Sequence, residues 1–168
     1  MIRPVTPDDA EELAALHLAN RDFLAPFEPE RPDAFYTVEG QRERLEQLVR
    51  DAAAGAGWRF AIVDGGAIAG TINLSDVIRG PMQLANVGYW VAQERNGRGL
   101  ATQAVADVVE FAFGEVDLHR VEAGTLPDNF ASQRVLEKNG FERFGFAHRL
   151  LLIGGEWTDH VLFERLAD

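Results

Sequence analysis

Gly97-Arg98-Gly99 lies between a strand-like run, Asn86 to Val91, and an amphipathic run that begins at Leu100. Glycines at the mouth of a helix gather unpaired backbone N–H groups at one point, and the helix dipole adds positive potential there. Arg95 and Arg98 add cationic side chains, and Thr102 places a hydroxyl in the first helical turn. Such a point suits a diphosphate, because glycine lets phosphate oxygens approach the backbone. The plainer alternative is that Gly97 and Gly99 only shape a tight turn. Two other phosphate loops fit poorly. A Walker loop needs Gly-Lys-Ser or Gly-Lys-Thr at the helix start, whereas Gly99 is followed by Leu100. A dinucleotide fingerprint needs a third small residue where Thr102 stands and an acid ending the next strand. That strand runs to Gly124-Thr125, and Asp117 precedes it.

The passage Asn96-Gly97-Arg98-Gly99-Leu100-Ala101 resembles the pyrophosphate-binding motif of the GNAT superfamily, Gln/Arg-x-x-Gly-x-Gly/Ala. Gly99 and Ala101 stand at its last two defined positions, and Asn96 stands where the family prefers Gln or Arg. Asn129-Phe130-Ala131-Ser132, followed by Val135-Leu136-Glu137-Lys138-Asn139-Gly140-Phe141, resembles the later helix and strand of the same superfamily. Three further stretches are similar to Rim-type acetyltransferases, which modify ribosomal protein N-termini: Asn20 to Pro29, Ala85 to Val91, and Gly155 to His160. The resemblance covers nearly the whole chain.

That resemblance implies acetyl-coenzyme A (acetyl-CoA) as acyl donor, with Asn96 to Thr102 around the pyrophosphate. The preceding strand would splay from its neighbour and hold the pantetheine arm along Trp90, Val91 and Ala92. A freed backbone N–H in that stretch could bond the thioester oxygen as charge develops on it. Transfer would go directly to an amine. By the same resemblance Ser132 faces the cofactor sulfur as proton donor, one helical turn beyond Asn129. An ordinary first-turn serine is the alternative. Asn129 would hydrogen-bond the pantetheine amides or cap its helix, and both roles are compatible if Asp128 is the cap.

The attacking amine must be neutral. At pH 7 an α-amine of pKa about 8 costs roughly 1.4 kcal/mol to deprotonate, and a lysine of pKa about 10.4 roughly 4.6. An α-amine therefore needs less help, which matters because no strong general base stands out. Where some Rim-type members carry a glutamate, this chain has Leu150-Leu151-Leu152. Glu122, Asp76 and His119 are candidates for a water-relayed base, with a structural role as the alternative. Phe23, Phe27 and Trp90 are candidates for an acceptor pocket or for core packing. His17, His119, His148 and His160 show no metal spacing, so no metal site is expected.

These side chains need a frame. Met1 to Val5 reads as a strand, and Thr6-Pro7-Asp8-Asp9 opens a helix to about Asn20 with Ala10, Leu13, Leu16 and Leu18 as its apolar positions. Arg21 to Pro32, broken by Pro26, Pro29 and Pro32, reads as an ordered loop. Thr37 to Ala54 is a second helix with Leu45, Leu48 and Val49 on one face, closed by Gly55 and Gly57. Trp58 to Val63 and Ala67 to Leu74 make a hairpin across Asp64-Gly65-Gly66. Asn86 to Val91 continues the sheet, and a helix from Gly99 to about Gly114 turns Ala101, Ala104, Val105, Val108 and Phe111 inward. Arg120 to Thr125 is the next strand, and a helix opened by Asp128-Asn129 stops at Asn139-Gly140. Phe144 to Ile153 and Thr158 to Leu166 finish as an antiparallel pair, while Trp58 and Phe111 are expected in the core. The expectation is one mixed α/β (α+β) domain over 1–168, with about seven mostly antiparallel strands and about four helices. The resemblance makes this the GNAT fold.

The chain has 168 residues and 46% hydrophobic content, enough for one buried core. No cysteine is present, so disulfides, thiolate metal sites and a cysteine nucleophile are excluded. The net charge of -11 argues against nucleic acid or an anionic membrane as partner and favours a cationic acceptor, although an acidic surface also serves solubility. The acidic N-terminus and the lack of a long apolar run point to the cytoplasm. Monomer and homodimer both remain open. The leading function is N-terminal acetylation of a protein. Acetylation of a small amine on the same scaffold is second, and a silent acyl-CoA-binding module is third.

Overall fold

Apolar residues that alternate along the chain pack as strands, and those that recur every three or four pack as helices. In the computed structural model, which describes residues 1–167, the order is β1 (Ile2–Pro4), α1 (Ala10–Ala19), α2 (Arg21–Leu24), α3 (Val38–Ala53), β2 (Trp58–Asp64), β3 (Ala67–Ile78), β4 (Leu84–Val91), α4 (Leu100–Gly114), β5 (Arg120–Thr125), α5 (Phe130–Lys138), β6 (Glu142–Ile153) and β7 (Glu156–Leu166). The strands form one seven-stranded sheet ordered β1-β2-β3-β4-β5-β7-β6. Neighbours are antiparallel except β4 and β5, which run parallel.

Alternation along β2 sends its residues to opposite layers. Phe60 and Ile62 join Ile72, Leu74, Val105, Val108, Val121 and Leu136 in a core that puts α4 and α5 on one face. Ala61 joins Val5, Ala10, Leu13, Leu45 and Ile68, placing α1 and α3 on the other. Each fully buried leucine or valine among these, such as Leu13, Leu45 and Val105, contributes roughly 1.5–3 kcal/mol. Trp58 and Phe111 pack edge to face at 5.6 Å against the first core. No helix among the described residues is long and apolar enough to cross a membrane.

Three local expectations need correction. Leu18 is 56% exposed and Val49 43%, because α1 turns Ala10, Leu13, Ala14 and His17 inward and α3 turns Gln41 and Leu45 inward. The amide of buried Gln41 donates to the Phe35 carbonyl at 2.5 Å, which makes a polar residue acceptable there. The stretch from Arg21 begins not as a loop but as α2, since its first proline is Pro26 and Arg21–Leu24 is free to take a helical turn.

The sheet opens at its centre. β4 and β5 pair only at Leu84↔Arg120, Ala85↔Val121 and Asn86↔Glu122. Beyond Asn86 the strands diverge, although β4 continues to Val91 and β5 to Thr125. The resemblance implied this splay, and every functional residue considered below is placed relative to it.

Candidate active site

The amide of Ala92 donates to the Ala69 carbonyl at 2.7 Å, so in the antiparallel pairing of β4 with β3 the main-chain groups of Ala92, Trp90 and Gly88 point toward β3. Those of Val91 and Tyr89 point the other way, into the splay. An extended ligand arm could pair with them as an added strand. Ala92 itself is fully buried and spends its amide on β3, so it backs the gap rather than lining it.

The chain leaves β4 through a short turn at Gln93–Arg95, pinned by Asn20. The Asn20 side chain accepts from the Gln93 amide at 2.9 Å and donates to the Leu16 carbonyl at 2.9 Å, tying the end of α1 to this loop. Gly97 and Gly99 both sit at φ 78°, and no atom lies within 4 Å of where a Cβ would stand. Left-handed backbone with open space above it meets the needs of a phosphate cradle. The first α4 amide to find a carbonyl in its own helix turn is that of Gln103, at 3.0 Å from Gly99, so the amides of Leu100, Ala101 and Thr102 are available.

Arg95 and Arg98 are less free than their sequence positions suggest. Both guanidinium groups hold the Asp64 carboxylate, at 2.9 and 2.7 Å, and their hydrogen bonds hold its pKa below the usual range. Their first role is to fix the loop against the β2–β3 turn. A cleft of about 540 Å³ runs from here along β4 and α5. Val91, Asn96, Gly97, Gly99, Leu100, Ala101 and Thr102 line it, together with Trp90, Asn129 and Ser132. Arg98, turned toward Asp64, does not. Arg134 and Lys138, not among the residues expected from the sequence, bring further positive charge; their four-residue spacing puts them on one face of α5.

Asn129, not Asp128, caps α5: its Oδ1 accepts from the Ser132 amide at 3.1 Å. Its Nδ2 donors remain for a ligand, so capping and binding can share one side chain. The Ser132 hydroxyl lies 2.9 Å from the Tyr89 hydroxyl, which is also 3.2 Å from the Ser132 carbonyl. Burial pushes the Tyr89 phenol up to about 12, against the opposing hydrogen bond from Ser132, so it stays protonated across the physiological range. Tyr89 had no assigned role in the sequence. Only the register that faces β4 toward α5 reveals it.

A second chamber, about 250 Å³, opens on the α1 and α3 face. The two spaces share Leu24, Phe27, Tyr89, Trp90, Asn129 and Ser132, and so meet at the splay. Phe27 and Trp90 line both spaces at this junction, whereas Phe23 lines only the cleft. The Trp90 indole donates to Thr71 at 3.0 Å, and its ring lies 4.7 Å from that of His17, which in turn meets Phe35 at 4.7 Å. Burial, then the charges of Arg44, Arg59 and Arg31, pull His17 down to about 3, so it is neutral. Glu28 is the one carboxylate among the described residues lining the chamber, and burial raises its pKa while Arg31 opposes the shift.

The three bases suggested by sequence lie elsewhere. Glu122 is bound to Arg120 at 2.5 Å, Asp76 accepts from Asn86 at 3.2 Å, and His119 sits exposed before β5. None lines the chamber or the cleft.

Known proteins share both this geometry and this sequence. The acetyltransferase (GNAT) domain profile matches residues 1–142. A probable N-acetyltransferase of Bacillus subtilis, YjcK, is 42% identical over 161 residues, covering 95% of this chain and 89% of its own. The [ribosomal protein uS5]-alanine N-acetyltransferase of Escherichia coli is 34% identical over 164 residues, 96% and 84% of the two chains. Among solved structures, the ribosomal-protein-S5-alanine acetyltransferase of Vibrio fischeri superposes with a TM-score of 0.96 at 36% identity, covering 99% of this chain and 92% of that one. Mycobacterium smegmatis RimJ, in complex with CoA-disulfide, gives 0.95 at 34% identity, over 99% and 81%. With the splayed strand, the glycine cradle and these likenesses in agreement over almost its full length, the chain belongs to the GNAT acetyltransferase family.

Proposed function

We propose that the chain moves an acetyl group from acetyl-CoA directly to the α-amine of a protein or peptide N-terminus. The observation that carries this is the meeting of two separate spaces at Tyr89 and Ser132: a cleft suited to the donor on one face of the sheet, and a chamber open to an acceptor on the other. The relatives that act on the alanine of ribosomal protein uS5 support the choice of acceptor. The RimJ neighbour in complex with CoA-disulfide supports the choice of donor.

Acetyl-CoA supplies an activated acyl carbon, and the protein supplies position and polarity. Gly97, Gly99 and the amides opening α4 would hold the diphosphate, with Arg134 and Lys138 at the flank. The Val91 and Tyr89 main chain would align the pantetheine arm, and a free amide in this stretch would bond the thioester oxygen as it gains charge. Trp90 and Phe27 wall the point of attack. As the acceptor nitrogen forms its bond to the acyl carbon, the carbon–sulfur bond breaks and its electron pair passes to sulfur. Ser132 donates a hydrogen bond to that sulfur, which leaves as thiolate and is protonated from solvent, and Tyr89 orients the Ser132 hydroxyl. The proton lost by nitrogen goes to Glu28 through water. His17 cannot take it, because a conjugate acid near 3 lies about 5 units below an α-amine, roughly 7 kcal/mol uphill.

Thiol release from acetyl-CoA, measured against a panel of N-terminal peptides and of small amines, tests the acceptor class. Turnover on peptides is expected. Release with small amines alone would replace the reading with small-amine acetylation, and CoA binding without turnover on any amine would remove the enzymatic reading.

A further inference from the structure

The chamber wall on the α1 and α3 face carries a charge imbalance that acetyl transfer to an amine does not require. Arg31 from the loop before α3, Arg44 from α3 and Arg59 from β2 all line the chamber, with Glu28 as the single carboxylate among its described lining residues. Glu28 stands 3.7 Å from Arg31. The guanidinium groups of Arg31 and Arg44 lie 5.1 and 5.2 Å from the Phe35 ring centroid, and Arg59 donates from Nη1 to Thr71 at 3.2 Å. The Nε donors of both Arg31 and Arg59 are buried with no protein partner, as is Nδ1 of His17, which is only 3% exposed.

Buried charge without a counter-charge is costly to a fold. Here it is concentrated on one wall of a chain whose overall charge is -11. Three guanidinium groups with one carboxylate among them make this wall suited to an anion. Planar, forked donors fit a carboxylate best. The donor's phosphates are not that anion, since none of the three arginines lines the cleft and the glycine loop has its own cations.

We propose that Arg31, Arg44 and Arg59 form a carboxylate subsite for the acceptor: a chain whose second or third residue is acidic places that side chain on this wall while its α-amine reaches Ser132 and Tyr89. This rests on the reading of the acceptor as a protein N-terminus. An extended segment advances roughly 3.3 Å per residue with alternate side chains on one side, so one early position, second or third, is selected.

The test is a ratio of kcat/KM values. Peptides with Glu or Gln at the second or third position are compared, and beside them the α-amides of glutamate and glutamine as small amines. The Glu form is expected to exceed the Gln form by about tenfold or more at one of the two peptide positions. Arg31→Gln and Arg44→Gln each bring that ratio toward one, whereas Arg44→Lys, which keeps the charge, retains part of it. Unchanged CoA binding confirms that each variant is folded, and the wild-type ratio needs no variant at all. If peptides are inert but the glutamate α-amide is preferred and Arg31→Gln abolishes that preference, the subsite stands and the N-terminal reading falls. Equal rates for Glu and Gln in both series, a preference that survives the arginine substitutions, or no turnover in either series overturns the subsite.

Discussion

Ser132 and Tyr89 can be tested as a unit, because each hydroxyl has one proton and the hydrogen-bond count is closed. The Tyr89 proton can go to Ser132 Oγ at 2.9 Å or to the Ser132 carbonyl at 3.2 Å. Only the first arrangement leaves the Ser132 proton free for sulfur while its oxygen is held. Ser132→Ala removes a hydrogen bond to a developing thiolate, worth about 1.5–3 kcal/mol, so kcat should fall about 10- to 150-fold with KM for acetyl-CoA nearly unchanged. Tyr89→Phe removes only the orienting bond, about 0.5–1.5 kcal/mol, or roughly 2- to 12-fold. The double variant should resemble Ser132→Ala alone, since Tyr89 has nothing left to orient; the coupling should exceed about 0.5 kcal/mol. Steady-state thiol release with saturating acetyl-CoA reads all three. A Ser132→Ala rate within twofold of the parent, or strictly additive losses, refutes the pair. The high Tyr89 pKa, about 12, adds a check: no alkaline limb due to Tyr89 should enter the kcat profile below about pH 11.

Glu28→Gln should lower kcat on peptides by about 10- to 100-fold if Glu28 takes the proton, and it should raise the preference for an acidic second or third residue, because one negative charge leaves the arginine wall; a kcat equal to the parent's removes the proton role. His17 makes folding pH-dependent: its folded pKa of about 3 lies below the ordinary 6.5, so the unfolded chain binds more protons and stability drains as pH falls from 6.5 toward 3, by about 2 kcal/mol at pH 5. Arg31, Arg44 and Arg59 reinforce that direction, while Glu28, with its pKa raised from 4.5, opposes it as pH falls through that raised value toward 4.5. Denaturant unfolding at pH 7 and pH 5 should show the loss in the parent and a much smaller one in His17→Phe, and equal slopes would count against a neutral buried imidazole. Gly99→Ala should cost about 1–2 kcal/mol through its left-handed backbone alone, since space is open around it. Its KM for acetyl-CoA should rise as the cradle shifts, and an unchanged melting temperature and KM would show that the loop tolerates a side chain.

The donor half of the site was legible because it is local. Gly97 to Thr102 and Asn129 to Ser132 each lie within one turn of a helix start, where chain order and spatial order coincide. The strands and longer helices were legible for the same reason, apart from the one-turn α2 at Arg21–Leu24 and from Leu18 and Val49, whose spacing fits a stripe but whose rotation about the helix is set by tertiary packing. Tyr89 was not legible, since β4 could present either Tyr89 or Trp90 to α5 and a one-residue shift in register exchanges them. Ala92 continues the alternation of β4 toward β3, so its place behind the gap follows from strand register, which chain order alone does not show. Glu122 and Asp76 are carboxylates of the right type whose partners, Arg120 and Asn86, are found only in the fold.

Net charge and the charge of the chamber wall differ, and the difference bears on how the amine is made reactive. A net charge of -11 favours a cationic acceptor if charge is taken as an average over the surface. A pocket feels its own wall, and here that wall is assembled from Arg31, Arg44 and Arg59, which come from three separate elements and converge only when α3 packs over β2. Positive charge beside an amine disfavours its ammonium form and lowers its pKa. Each unit of lowering removes about 1.4 kcal/mol of the cost of deprotonation. A single unit would thus cancel the roughly 1.4 kcal/mol that an α-amine requires at pH 7, but it would leave most of the roughly 4.6 kcal/mol that a lysine requires. Any such lowering by the arginine wall would do part of the work of a general base, and would favour α-amines over lysine.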